Sequence, residues 1–146
     1  MKQLEEHYGD KLRVEYHHFP LSFHDQAKPA AVASMAAHKQ GKFFPMVEKL
    51  YANMKKLDVD SINQYAEEVG LELERFKADL EDPEVLNYVE MDQKAGKVLG
   101  VSGTPSLFLN GRKYKGKSEL PLLKKAIDAE LAAVNRLVSR GKSVVE

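Results

Sequence analysis

The stretch Gly100-Val-Ser-Gly-Thr-Pro-Ser-Leu-Phe-Leu-Asn-Gly111 changes character twice. Its first half reads as a loop, because Gly100, Gly103 and Pro105 interrupt both the helical and the strand period. Ser106–Asn110 (SLFLN) is apolar on both faces, the pattern of an interior strand. Asn110-Gly111 is the strongest short signal for a two-residue hairpin turn. Arg112–Lys115 (RKYK) then returns as a lysine-rich edge strand. An interior strand needs a neighbour on each side, and the hairpin supplies one.

Toward the C-terminus, Ser118 is expected to cap a last helix with the stripe Leu120, Leu123, Ile127, Leu131, Val134 and Val138. Toward the N-terminus the chain is helical in pattern. Asp82-Pro83-Glu84 is a cap, a first-turn proline and a first-turn acid, opening a helix that runs to about Leu99 before Gly100. Leu73, Phe76 and Leu80 mark another helix. Asp60 or Ser61 is expected to cap one that Gly70 stops. Residues 43–57 carry the stripe Met46, Val47, Leu50, Tyr51, Met54 and Leu57, and Ala27–Lys39 is Ala-rich with Pro29 in its first turn before Gly41. Residues 11–19 (KLRVEYHHF) alternate, with Leu12, Val14, Tyr16 and His18 on one face, and read as an edge-like strand ending at Pro20. Residues 1–8 look like the end of a helix closed by Gly9. The second neighbour of the strand at 106–110 is then either the strand at 11–19 or something not in this chain.

The totals narrow the function. A length of 146 residues fits one domain able to bury a core without staples. Lys+Arg and Asp+Glu are each 22, so no net field draws in nucleic acid or anionic lipid. The longest weakly polar run, Pro29 to Ala37, is too short to span a bilayer. The N-terminus lacks the apolar core of a signal peptide, which makes a cytoplasmic address the default expectation and a periplasmic one the expectation if a segment lies upstream. There is no cysteine, hence no disulfide framework to report on redox compartment.

The order helix, strand, helical block, Gly-Val-Ser-Gly-Thr-Pro loop, hairpin, final helix resembles the DsbA-like thioredoxin family. Two stretches carry the likeness: GVSGTPSLFLNG at 100–111, similar to the family's cis-proline loop and following strand, and YHHFPLSFHDQAKPAAVASMAAHKQGKFFPM at 16–46, similar to its second core strand running into the insertion. The resemblance implies an α/β, thioredoxin-like fold with an inserted helical subdomain at about 25–99, in a single domain over 1–146. The family places a Cys-x-x-Cys at the start of its first core helix, after a first core strand. Lys2-Gln3-Leu4-Glu5-Glu6 resembles the last turns of that helix, so the expectation is a domain truncated at its N-terminus, lacking the first core strand and the catalytic pair.

The resemblance also assigns a substrate-binding role to Ser102, Gly103, Thr104 and Pro105, where a protein or peptide substrate would be held as an added strand. It implies no cofactor. Exchange itself needs a thiolate, and neither Ser102 nor Thr104 has a partner base in the sequence pattern. A DsbA-like protein thiol–disulfide oxidoreductase that is redox-inactive as given is therefore the first expectation. Two others stand beside it: a non-catalytic binding or assembly module, joined as a homodimer through the incomplete sheet, and a glutathione-linked relative of the kappa type. His17 and His18 point to opposite faces of a strand, and no ligand spacing ties His18, His24 and His38 into a metal site. Phe43-Phe44 with Met46, and Tyr51 with Met54, read first as core and second as a groove for unfolded clients.

Overall fold

A computed structural model describes residues 1–141. In chain order the elements are α1 (Lys2–Tyr8) with a 3-10 turn (Gly9–Lys11), α2 (Ala27–His38), α3 (Phe43–Ala52), α4 (Val59–Glu68), α5 (Leu73–Leu80), α6 (Pro83–Val98), β1 (Phe108–Leu109), β2 (Arg112–Lys113) and α7 (Leu120–Ser139). They form two compact units: a helical unit from His17 to Thr104, and a hairpin unit of Met1–Tyr16 with the chain from Pro105 on.

In the helical unit, local signals decide the element ends. Asp82 accepts from the Glu84 N–H and Pro83 opens α6, the arrangement its sequence predicts. Gly41 and Gly70 stop α2 and α4 with φ of 71° and 77°. The cap of α4 is Asp58, not Asp60 or Ser61: its carboxylate accepts from Ser61 N–H and Oγ, which holds the Asp58 carboxyl below its ordinary range. Two apolar clusters fill this unit. One joins Ala33, Ala36, Ala37, Met46, Leu50, Ile62, Tyr65, Ala66, Leu71 and Phe76; the other joins Ala31, Val32, Val85 and Val89. The alanines of α2 bury without side-chain entropy and let α3 and α6 approach closely. The stripe at 43–57 is split. Met46 and Leu50 are core, whereas Tyr51, on the same helix, and Met54, beyond the end of α3 at Ala52, are exposed; Phe44, also expected in the core, is exposed as well.

The hairpin unit packs α1, the hairpin and α7 around Leu4, Tyr8, Leu123 and Ile127, with Leu12, Leu107, Leu109, Tyr114, Leu120 and Leu131 against them. The stripe on α7 holds to Val134 and then leaves the core, Val138 being exposed. Glu119, not Ser118, precedes α7, with Pro121 in its first turn and no side-chain cap. The turn is as read: Asn110 and Gly111 take φ of 46° and 74°, and β1 and β2 pair antiparallel with Leu109 opposite Arg112 and Phe108 opposite Lys113.

Two strand expectations are corrected. The strand at 106–110 shortens to Phe108–Leu109 and ladders on one side, to β2, among the described residues. Residues 11–19 keep their alternation but form no ladder: Leu12 and Val14 are half-buried, Arg13 and Glu15 exposed, His18 buried, while Tyr16 is exposed. Their backbone is bonded otherwise, Leu12 N–H to the Gly9 carbonyl and His18 N–H to the Asp92 carboxylate.

Candidate functional site

The end of α6 sets up the loop. Gly100 N–H bonds the Lys97 carbonyl at 3.0 Å and Val101 N–H bonds the Gly96 carbonyl at 2.9 Å, a Schellman closure with Gly100 at φ 73°. This turns the chain away from the helix axis at a fixed point. The ring of Phe19 lies on Gly96, where an added Cβ would stand 2.7 Å from it, so α6 accepts that aromatic only at a glycine. Ser102 and Thr104 then follow as exposed residues with Gly103 half-buried between them, all in the helical unit. Pro105, also exposed, opens the hairpin unit, and the chain bends over Gly103–Pro105.

Within the hairpin unit a concavity of about 280 Å³ lies beside Pro105, walled by Leu4, Leu107, Leu120 and Leu123 and edged by Met1, Gln3 and Ser118. Its floor is the core cluster. Tyr8 fixes α1 to α7 there: its hydroxyl donates to the Lys124 carbonyl (3.0 Å) and the Asp128 carboxylate (2.8 Å). Burial, then the bond and charge of Asp128, push the phenol up to about 12. At the hairpin, Arg112 and Asn110 both donate to Glu130 of α7, which lowers that carboxyl and ties the turn to the last helix.

The helical unit gathers a polar cluster that sequence spacing gave no way to find. Asp92 of α6 accepts from the His18 backbone N–H (2.7 Å) and lies 2.9 Å from His17 Nδ1. His18 Nε2 stands 3.5 Å from Ser34 Oγ, and that hydroxyl donates to the Ala31 carbonyl. Burial lowers the His18 pKa against the pull of Asp92, with His17 adding to the lowering. A Ser–His–Asp set is present by name only. Asp92 engages the neighbouring ring and a backbone N–H, and Ser34 is buried with its proton committed to a carbonyl. His18 and His38 both meet the ring of Phe43 edge-on, at 5.9 and 6.0 Å, while the ring of His24 lies tilted against that of Phe23. No three metal-ligating side chains converge among the described residues. A second concavity, about 350 Å³, lies between Pro20–Lys28 and α6, where Gln93 donates to the Pro20 carbonyl and Lys28 pairs with Glu90.

A bent loop after a long helix, a hairpin and a closing helix, with a helical block inserted ahead of them, define a thioredoxin-like α/β scaffold. The family model described as thioredoxin matches residues 1–129, and the chain belongs to the thioredoxin family, as a DsbA-like member. Among solved structures it is similar to a thioredoxin-like oxidoreductase from Silicibacter pomeroyi, with a TM-score of 0.66 and 28% identity over 80% of this chain and 67% of that one. It is 36% identical over 126 residues to the Na(+)/H(+) antiporter NhaA 1 of Mycobacterium sp. (strain KMS), covering 84% of this chain and 21% of that protein. The antiporter NhaA of Herminiimonas arsenicoxydans is 35% identical over 126 residues, 86% of this chain and 20% of its own length. The chain thus spans about a fifth of the length of these relatives.

Proposed function

We propose that this chain is the polypeptide-docking part of a protein thiol–disulfide oxidoreductase, holding an extended substrate segment along Ser102, Gly103, Thr104 and Pro105. The observation that carries the reading is the bend after the α6 closure, which leaves Ser102, Thr104 and Pro105 exposed, Pro105 itself lining the leucine-walled concavity of the hairpin unit. Backbone groups of such a segment bind a substrate as an added strand, and the concavity takes an apolar side chain. Exchange starts with a thiolate attacking a disulfide sulfur. None of the 146 residues is a cysteine, so the exchanging sulfur comes from outside them. The relatives' ion transport is not carried over, since the match covers 21% of the first of them. No helix of the described residues is long and apolar enough to cross a membrane.

Titration of the isotope-labelled chain with an extended, unstructured peptide tests this. The expected result is amide shifts confined to Val101–Leu107 and weaker binding by Pro105→Ala. Shifts elsewhere, or none, reject the site. In an insulin-reduction assay the chain is expected to read as blank, and turnover above background defeats the docking-only role.

A further inference from the structure

We propose that Asn110-Gly111 is a site of spontaneous modification, where water converts Asn110 to aspartate and isoaspartate through a cyclic imide, at a rate governed by the tie from Asn110 to Glu130. This goes beyond the docking reading and does not rest on it. Both residues are exposed, and the space that a Cβ on Gly111 would enter is open. Glycine also puts no side chain of its own beside the nitrogen that must react. The chain's other asparagines lack these conditions. Asn63, Asn87 and Asn135 lie inside α4, α6 and α7, where the next N–H is committed to a helical hydrogen bond. Asn53 is followed by the bulkier Met54.

The Gly111 nitrogen, its proton taken by hydroxide, attacks the Cγ carbonyl carbon of Asn110. A C–N bond forms, the bond from Cγ to Nδ2 breaks, and Nδ2 leaves as ammonia with a proton from water. Water then opens the imide at either carbonyl. Opening at Cγ leaves aspartate; opening at the main-chain carbonyl leaves isoaspartate, with the chain running through Cγ. The net change takes up water, releases ammonia and involves no oxidation or reduction. Two features of the fold slow the first step. Asn110 Nδ2 donates to Glu130 Oε2 at 3.2 Å, which holds the amide toward α7, and the pairing of Leu109 with Arg112 fixes the torsions between the reacting atoms. Reaction therefore proceeds from openings of the turn, which the tie makes rarer. Either product undoes the tie. Aspartate sets a carboxylate, with no N–H to give, against Glu130, which its bond to Arg112 keeps ionised. Isoaspartate lengthens the main chain of a two-residue turn, and the register of Phe108 with Lys113 depends on that length.

The full chain, held in mildly alkaline buffer, is expected to gain about 1 Da as the amide becomes an acid. Peptide mass spectrometry is expected to place that gain at Asn110, and enzymatic carboxyl methylation to detect isoaspartate in the same peptide. Glu130→Ala is expected to convert at least about twofold faster than the wild type, with unchanged far-ultraviolet circular dichroism. In guanidinium chloride the two chains are expected to convert at one common rate, faster than the folded wild type. Conversion at Asn110 no faster than at Asn53 overturns the proposal. So does a folded Glu130→Ala chain that keeps the wild-type rate, or a wild-type rate that unfolding leaves unchanged. Should Glu130→Ala fail to fold, Glu130→Gln decides. A neutral acceptor holds the amide less tightly than a charged one, so faster conversion is expected and an unchanged rate overturns the role of the tie.

Discussion

His18 carries a buried imidazole whose surroundings favour the neutral ring. Its edge meets Phe43, its Nε2 faces Ser34 Oγ, and only the Asp92 carboxylate argues for a proton. Because burial holds the folded pKa below the ordinary value of about 6.5, the unfolded chain binds the proton more readily. The stabilisation is complete above about pH 6.5 and is lost as pH falls from there through the lowered folded value. The carboxyls held low by partners, Asp58, Glu68, Asp82, Glu90 and Glu130, lose their contributions at more acidic pH, so the two windows separate. Melting temperatures taken from pH 7.5 to pH 5 are expected to fall for the wild type and to fall less for His18→Gln. Equal slopes for the two proteins remove His18 from the account.

The junction of α2 with α5 shows what one element asks of another. The side-chain amide of Gln40, just past the end of α2, donates to the Glu72 carbonyl at 3.2 Å and accepts from the Glu72 N–H at 2.9 Å. Glu72 in turn caps α5 through the N–H groups of Glu74 and Arg75. Lys39 reaches Asp79 and Asp82 from the same junction, and those bonds push its ammonium up to about 12. Gln40→Ala removes two hydrogen bonds at an exposed seam and is expected to cost about 1–2 kcal/mol by urea unfolding. Gln40→Glu keeps the acceptor but loses the donor, and is expected to be at least as damaging. A variant as stable as the wild type contradicts the clamp. Gln40 falls within the stretch 16–46 that carries the family likeness, but its partner is 32 residues away and no local pattern names it. The same distinction separates the elements read correctly from those that were not. Helices such as α6 declare themselves through their own period, cap, proline and closing glycine, all within one stretch. The strands at 11–19 and 106–110 declare only a pattern of faces, while a ladder depends on a distant neighbour. The loop at Ser102–Pro105 was legible from its glycine and proline, whereas the substrate role expected of it came by resemblance alone; Asp92, which gathers His17 and His18, was not legible at all, lying more than 70 residues from both.

At the scale of the molecule the apolar interior is divided unequally. The helical unit holds Ala33, Met46, Ile62, Phe76 and their neighbours in one cluster and Val85 and Val89 in another, whereas the hairpin unit rests on four buried side chains, Leu4, Tyr8, Leu123 and Ile127. Burial of apolar area is the main favourable term in folding, so local opening is expected to follow this division. In native-state hydrogen exchange, the amides of Met46, Phe76 and Val89 are expected to exchange at least about tenfold more slowly than those of Leu4, Leu123 and Ile127, a difference of about 1.4 kcal/mol in opening free energy. Uniform protection in both units at low concentration contradicts the division of the core.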